Sequence, residues 1–536
     1  MRYLIAVAAL AFACGEPPGG GTAGGGNATA GGSTATAGGS TATAGGSTAT
    51  AGGGNTAGGG NTAGGSNTAG GGMATAGGSS GPGTSPLYVN NTGTPACSDA
   101  TSKANNSPQS PWCTLHRAAT GAAPGATANA AQAAAAGDTV NITCGQYPIW
   151  GTGINGFDGV AVKPVNSGTA TAPLRFQALN NASSCVRLQW ATATRGAALG
   201  GHNVSYVQWS GFDINETDLP WPAGGFQTAQ FWISGDSGST STLARGVVIE
   251  NSRLRGTVTS SRDNDNYSLI RLSGVDGVTL RNLDVRDVGE TDENSSGSTW
   301  YHAYNVLVEN CRFENMGSGI YVKGQTDPAP NHTSIFRRNV FRNVVFALEL
   351  FTLANGLPQA PFLIHNNVFD GAAYGVRFKT FGDSRDPNDI KVINNTFVGA
   401  TANCIDFVGT QQDEAHLEFR NNICVSTAQG ISSESAAVVT VTEADRFASN
   451  RNVFQTVNRF TQIGANLTFT EWQSMYGQDA DSLFVSPQFV GAADFHLAPA
   501  SPARTLGRAV FGIGGTSGTT IPAGAYITGS EVIGPY

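Results

Sequence analysis

Seven residues, taken by type and spacing, could line a site for acid–base chemistry on a bound substrate. The phrases GIYVKG from Gly319, FALELF from Phe346, YGVRFK from Tyr374 and CIDFVG from Cys404 recur along the chain. An offset of 28 residues aligns Tyr321 with Glu349 and Arg377, and Lys323 with Phe351 and Lys379. One inserted residue brings Asp406 after Arg377. Each phrase alternates apolar and polar, so Ile320, Val322, Leu348, Leu350, Val376 and Phe378 are expected to face inward. Tyr321, Glu349, Arg377 and Asp406 should then form one exposed row, with Lys323, Phe351 and Lys379 in the next. Stacked strands would set neighbours in a row ~4.8 Å apart. Removal of a proton α to a uronate carboxylate needs a base, and cations that neutralise the carboxylate and stabilise the enolate. Lysine and arginine can fill both roles, and a lysine among other cations has a lowered pKa. Lys323 and Lys379 are the base candidates, about 10 Å apart across two coils. Arg377 could neutralise the uronate. Tyr321, Glu349, Phe351 and Asp406 are the accompanying substrate contacts. The competing reading of the same row is a solvated ladder in which Glu349 and Asp406 pair with Arg377.

Such rows need strands stacked at a fixed interval. The phrases VTLRNLDV (Val278), VLVENCRF (Val306), SIFRRNVF (Ser334), FLIHNNVF (Phe362), IKVINNTF (Ile390) and LEFRNNIC (Leu417) start 28 residues apart four times and then 27 apart. A constant period of that size marks a solenoid, one turn of structure per repeat. Their eighth positions form a column of Val285, Phe313, Phe341, Phe369, Phe397 and Cys424. Their sixth positions give Leu283, Cys311, Asn339, Asn367, Asn395 and Asn422. Stacked Phe fill a core, and stacked inward Asn can hydrogen-bond along the axis. The fold class expected is all-β: a right-handed parallel β-helix of roughly ten coils.

The ends of the folded body carry a resemblance. LYVNNTG, SPWCTLHRAA and AAQAAAAGDTVNITCGQY resemble the opening segment of secreted parallel β-helix proteins, in which a short Ala-rich helix caps the first coil. That helix would end at Gly137-Asp138. TFTEWQSMYGQDADSLFVSPQF and DFHLAPASPA resemble the closing segment of bacterial right-handed β-helix repeat proteins of the pectate-lyase-like superfamily. A short helix is expected there from Glu471 to Gly477. GSGIYVKG followed by RRNVFRN resembles the base-lysine coil of chondroitinase-B and alginate-lyase-type enzymes, although the next coil offers Glu349 and Phe351 where those have Arg. GVRFKTFG resembles the lysine coil of calcium-dependent β-helix pectate lyases. That likeness implies calcium as a cofactor and Asp ligands among Asp263, Asp265, Asp292, Glu293, Asp383 and Asp386. The Asp-pair motifs of β-helix pectin hydrolases are absent. Two functions are therefore carried forward: a polysaccharide lyase acting on uronate glycans, and a non-catalytic glycan-binding adhesin or surface protein. Trp221, in a long loop, and His302, in STWYHAYNV, are further contact candidates for an acidic polysaccharide.

Residues 1–13 resemble an export signal, and the segment ending in Cys14 resembles a bacterial lipoprotein signal, with Cys14 as lipid acceptor. Lipid anchoring at the outer membrane and plain secretion both remain open. Residues 14–86 are Gly-, Ala- and Thr-rich with almost no charge, which suits a disordered tether. Residues 87–536 make the β-helix domain: cap 87–137, coils 138–456, closing segment 457–536. The net charge of −8, with 12% charged residues and no basic tract, disfavours nucleic acid as a partner. A monomer is expected, meeting the membrane through its anchor alone. Eight cysteines are present. Cys97 with Cys113, and Cys144 with Cys185, are candidate disulfides of an exported chain. Cys311 and Cys424 should both point inward, about 19 Å apart and unable to bond, as small buried hydrophobes.

Overall fold

The computed structural model describes residues 86–151, 159–192, 196–219, 228–236, 242–257, 267–289, 295–323, 333–352, 361–380, 389–409, 416–426, 429–433, 447–462 and 465–535. Cys14, Trp221 and the six acidic candidates for calcium (Asp263, Asp265, Asp292, Glu293, Asp383, Asp386) lie outside the described residues. Twelve parallel strands stack in one sheet, from Leu87–Val89 through Thr279–Arg281, Leu307–Glu309, Ser334–Arg337, Phe362–His365 and Asp389–Ile393 to Phe447–Asn450. The repeated phrases pair in the register that their period requires: Val308 with Phe336, Phe336 with Ile364, and Ile364 with Val392. A larger, mainly parallel sheet forms the remaining faces of the solenoid.

Turn chemistry explains why each phrase bends where it does. The fifth positions Asn282, Asn310, Asn366, Asn394 and Asn421 all have φ between 52° and 56°. Asn tolerates this left-handed conformation better than most residues, and it turns the chain out of one sheet toward the next. The sixth positions then point inward. Asn339, Asn367, Asn395 and Asn422 are each fully buried. The Asn367 Oδ1 accepts from the Asn339 backbone N–H at 3.0 Å, and its Nδ2 donates to the Phe336 carbonyl at 2.9 Å. Asn395 repeats this one coil later at 3.0 and 2.9 Å. The column satisfies turn backbone that would otherwise be buried without partners.

Beside it runs the aromatic column. Phe313, Phe341, Phe369 and Phe397 stack face to face with centroids 5.2, 5.1 and 4.4 Å apart. A second column of small residues makes room for the rings. A Cβ on Gly319 would come within 3.0 Å of Phe341, and one on Gly375 within 2.5 Å of Phe397. This column continues to Cys404, which pairs in register beside Tyr374 and Val376 of the preceding coil. At the next coil the Phe column becomes Cys424, so a Cys faces a Cys where other coils set Gly against Phe. Cys404 and Cys424 form a disulfide with Cα atoms 6.2 Å apart. The expectation that Cys424 stays an unbonded hydrophobe is thereby corrected. Only its distance from Cys311 had been weighed, and the partner lies one coil before it. Cys311 is free and buried, and burial pushes its thiol up to about 12. Cys97–Cys113 and Cys144–Cys185 are both bonded.

The ends are closed by short elements. Helix α1 spans Leu115–Thr120, with Thr114 capping its start and Gly121 in the left-handed region ending it. The Ala-rich run after it forms turns rather than the expected helix. Its backbone is drawn into bonds with α1 instead, Asn129 N–H to Thr120 and Ala134 N–H to Ala118. Helix α2 spans Phe469–Tyr476, two residues earlier than expected, because Thr468 and Glu471 form a capping box. Its Trp472 is fully buried over the last coil. The chain beyond 485 then returns along the solenoid. Asn394 Nδ2 donates to the Pro522 carbonyl at 2.9 Å, and Gly534 N–H donates to Arg338 at 2.8 Å.

Candidate functional site

The candidate residues lie on the outer face of the strands Thr228–Ser234, Tyr267–Asp276, Ser296–Tyr304, Arg312–Lys323, Val340–Thr352, Tyr374–Thr380 and Asn403–Gly409. Register places Tyr321 beside Glu349, Glu349 beside Arg377, and Arg377 beside Asp406. The same pairing puts Lys323 beside Phe351 and Phe351 beside Lys379. Both rows exist in the backbone. The side chains of Phe351 and Lys379 lie outside the described part of the structure. Ile320, Val322, Leu348, Leu350, Val376 and Phe378 are buried, as their alternation requires.

The first row is not exposed. Tyr321, Glu349 and Asp406 are 3%, 0% and 1% accessible, which corrects the expectation of an open row. Two short carboxylates are set one on each side of Arg377 at strand spacing, so the longer side chain covers them. Arg377 Nε lies 3.3 Å from Asp406 Oδ2, and Nη1 lies 3.7 Å from Glu349 Oε1. The guanidinium also lies over the rings of Phe346 and Tyr374, 4.9 and 5.1 Å from their centroids. Those rings stack on each other at 5.0 Å. Arg377 is thus engaged by two acids and two aromatic faces of its own chain.

Toward the N-terminus the same row changes character. It runs from Tyr321 back to Thr299, Arg271 and Trp232. Thr299 belongs to a buried hydroxyl cluster, 2.6 Å from Ser268 and 2.5 Å from Ser296. Arg271 is 3% accessible, and its guanidinium lies 4.9 Å from the ring centroids of both Trp232 and Tyr301. Burial holds the Arg271 pKa below the usual arginine range, while the Tyr301 hydroxyl pulls it back up. Among the described residues no carboxylate pairs with Arg271, and its Nη1 has no hydrogen-bond partner. Lys323 Nζ sits over the neighbouring tyrosines, 5.8 Å from the Tyr301 centroid and 5.5 Å from that of Tyr321. Tyr301 therefore carries a cation from each of two other coils. His302, next to it, takes a left-handed φ of 48°. Half-burial pushes its pKa down. Among the described residues no three His, Cys, Asp or Glu side chains converge as metal ligands. The described residues set aromatic rings and cations side by side on this face.

Residues 233–397 match a family model described as a right handed beta helix region. The chain carries a right-handed β-helix. No curated protein matches it. Among solved structures it is similar to pectate lyase Pel9A at 15% identity and a TM-score of 0.45, covering 83% of this chain and 97% of that one. It is similar to XylC in complex with xylose at 10% identity and a TM-score of 0.45, covering 76% and 87%. It is also similar to the PL6 family polysaccharide lyase Pedsa3628 from Pseudopedobacter saltans, at 10% identity and a TM-score of 0.38, covering 66% and 90%. The β-helix brings Lys323 to Tyr301 and Arg271. The sequence reading named Lys323 but neither of these neighbours. Thr299 pairs with Tyr321, a step of 22 residues rather than 28, so the 28-residue offset carried back from the Lys323 coil passes them by. The available signal was the alternation in YSLIRLSG around Arg271.

Proposed function

We propose that the outer face around Lys323 cleaves an acidic polysaccharide by β-elimination. The observation that carries this reading is the placement of Lys323 Nζ over Tyr301 and Tyr321, with Arg271 against the same Tyr301 ring. Aromatic faces beside cations suit a pyranose that bears a carboxylate. In its neutral form the Lys323 amine takes the proton α to the carboxylate. The electron pair becomes a carbon–carbon double bond, the bond to the glycosidic oxygen breaks, and water protonates that oxygen. Lys323 ends as an ammonium, the hydroxide left by that water takes its proton back and restores the amine, and the new chain end is unsaturated. Cations near the carboxylate stabilise the enolate that develops. Lys379, two coils on in the same row, would hold a neighbouring carboxylate.

A second reading has its own support. The Glu349, Arg377 and Asp406 triad engages its one cation within the chain and gives that end of the face a structural role, which suits a non-catalytic glycan binder. Incubation of the protein with pectate, alginate and chondroitin, with and without calcium, separates the two. Appearance of ultraviolet-absorbing unsaturated ends supports the lyase. Binding without such product from any of the three leaves the binder. The N-terminal segment supports placing the protein outside the cell, with Cys14 as its lipid anchor.

A further inference from the structure

We infer that Arg271, rather than Arg377, receives the carboxylate of the sugar from which Lys323 takes its proton, and so sets the preference for uronates over neutral sugars. This deepens the lyase reading and rests on it. The two arginines occupy the same row four coils apart, yet they differ in what surrounds them. Arg377 lies within salt-bridge distance of Glu349 and Asp406. A substrate carboxylate there would join two acids already sharing one guanidinium, and like charges at such distances repel. Arg271 has no carboxylate partner among the described residues, and its Nη1 is buried with nothing to donate to.

A buried donor left unpaired costs about 1–3 kcal/mol, more when charged. Such a donor is completed when water, an ion or a ligand reaches it. The structure holds Arg271 in a form ready for that. Trp232 and Tyr301 lie against its guanidinium at 4.9 Å, which fixes the plane of the fork. Burial removes competing water, so a carboxylate arriving at the fork gains charge-assisted hydrogen bonds in a low-dielectric setting. Arginine offers two parallel donors to such a group.

Position ties the receptor to the chemistry. Arg271 Cζ is 4.9 Å and Lys323 Nζ 5.8 Å from one Tyr301 centroid. The two cations cannot be farther apart than those distances combined, so both can address one sugar and its carboxylate. The acid proton sits on the carbon next to the carboxylate, so fixing the carboxylate at Arg271 also fixes that carbon toward Lys323.

The test measures binding in full-length protein carrying Lys323→Ala, so that no turnover interferes. The probes are galacturonate, mannuronate and glucuronate oligosaccharides and their carboxyl-reduced counterparts, titrated by calorimetry. The Lys323→Ala chain is expected to prefer one acidic series over its reduced form by roughly 10- to 100-fold, the worth of a hydrogen-bonded charge. Adding Arg271→Gln should remove that preference and leave affinity for the reduced form unchanged. Arg271→Lys, which keeps the charge and loses the fork, should remove part of it and guards against misfolding of the Gln variant. Full preference in folded Arg271→Gln or Arg271→Lys protein overturns the assignment while the lyase reading stands. No preference in Lys323→Ala itself overturns both.

Discussion

Replacing Arg377 by Gln should cost stability first and turnover only indirectly. Its guanidinium lies 3.3 Å from Asp406 and 3.7 Å from Glu349, whose side chains are 2% and 0% exposed. Without Arg377 both carboxylates stay buried, two coils or about 9.6 Å apart. At an effective dielectric of 20 their mutual repulsion is roughly 1.7 kcal/mol. Breaking a buried ion pair by removing one partner typically costs about 3–5 kcal/mol in all. In a solenoid such a loss falls mainly on the neighbouring coils, because each coil contacts only the next. Hydrogen exchange therefore reads it better than a melting point. Amides of Val340–Thr352, Tyr374–Thr380 and Asn403–Gly409 should exchange roughly 10²- to 10³-fold faster. The triple change Glu349→Gln, Arg377→Gln, Asp406→Asn removes all three charges and should recover most of the protection. If Arg377→Gln leaves exchange untouched yet abolishes turnover, the reasoning fails and Arg377 belongs to the substrate.

Other expectations follow from the core and the turns. Phe369→Ala opens a hole between Phe341 and Phe397 and should cost about 3–5 kcal/mol in chemical denaturation; a loss under 1 kcal/mol would mean that the column does not stack. Removing the Cys404–Cys424 bond with two Ala changes should cost about 3 kcal/mol for a loop of this length, whereas Cys404→Gly with Cys424→Phe recreates the Gly-against-Phe pairing and should lose less. His365 lies in a cavity of about 410 Å³ beneath the returning C-terminal segment. Burial pushes its pKa down from 6.5 to about 4, so the folded state resists a proton that the unfolded state accepts. Its contribution is therefore intact above pH 6.5 and lost as pH falls toward 4, by about 3 kcal/mol in full; His365→Gln should flatten that part of the pH–stability curve. Cys14→Ala should release the protein from membranes into the medium, and unchanged membrane association would exclude the anchor.

The β-helix was legible because its signals repeat. A single Phe or Asn says little, but Phe313, Phe341, Phe369 and Phe397 at one spacing can only be a stack, and the six aligned phrases fix which side chains face in. The row Tyr321, Glu349, Arg377, Asp406 was legible in order, since register follows from period. Its burial was not legible, because outward direction on a strand does not say what neighbouring side chains cover. Cys404 was missed because its column is built of residues without a shared chemistry, Gly319, Ala347 and Gly375, which only the packed rings of the next coil define. Arg271 and Tyr301 were missed because the step from Thr299 to Tyr321 is 22 residues, which breaks the 28-residue count just before the row of Lys323. The Ala-rich run of the cap read as a helix on propensity, and contacts with α1 overrode it.

The most direct measurement follows ultraviolet absorbance of unsaturated chain ends while wild-type and Lys323→Ala proteins act on pectate, alginate and chondroitin. The account predicts that wild type releases unsaturated product from at least one of these polymers. It predicts that Lys323→Ala loses at least 10²-fold in rate, the usual worth of a general base, with unchanged unfolding, since Lys323 lies at the surface end of its strand. Unsaturated product formed equally fast without Lys323, or none formed by wild type from any uronate polymer, would contradict it.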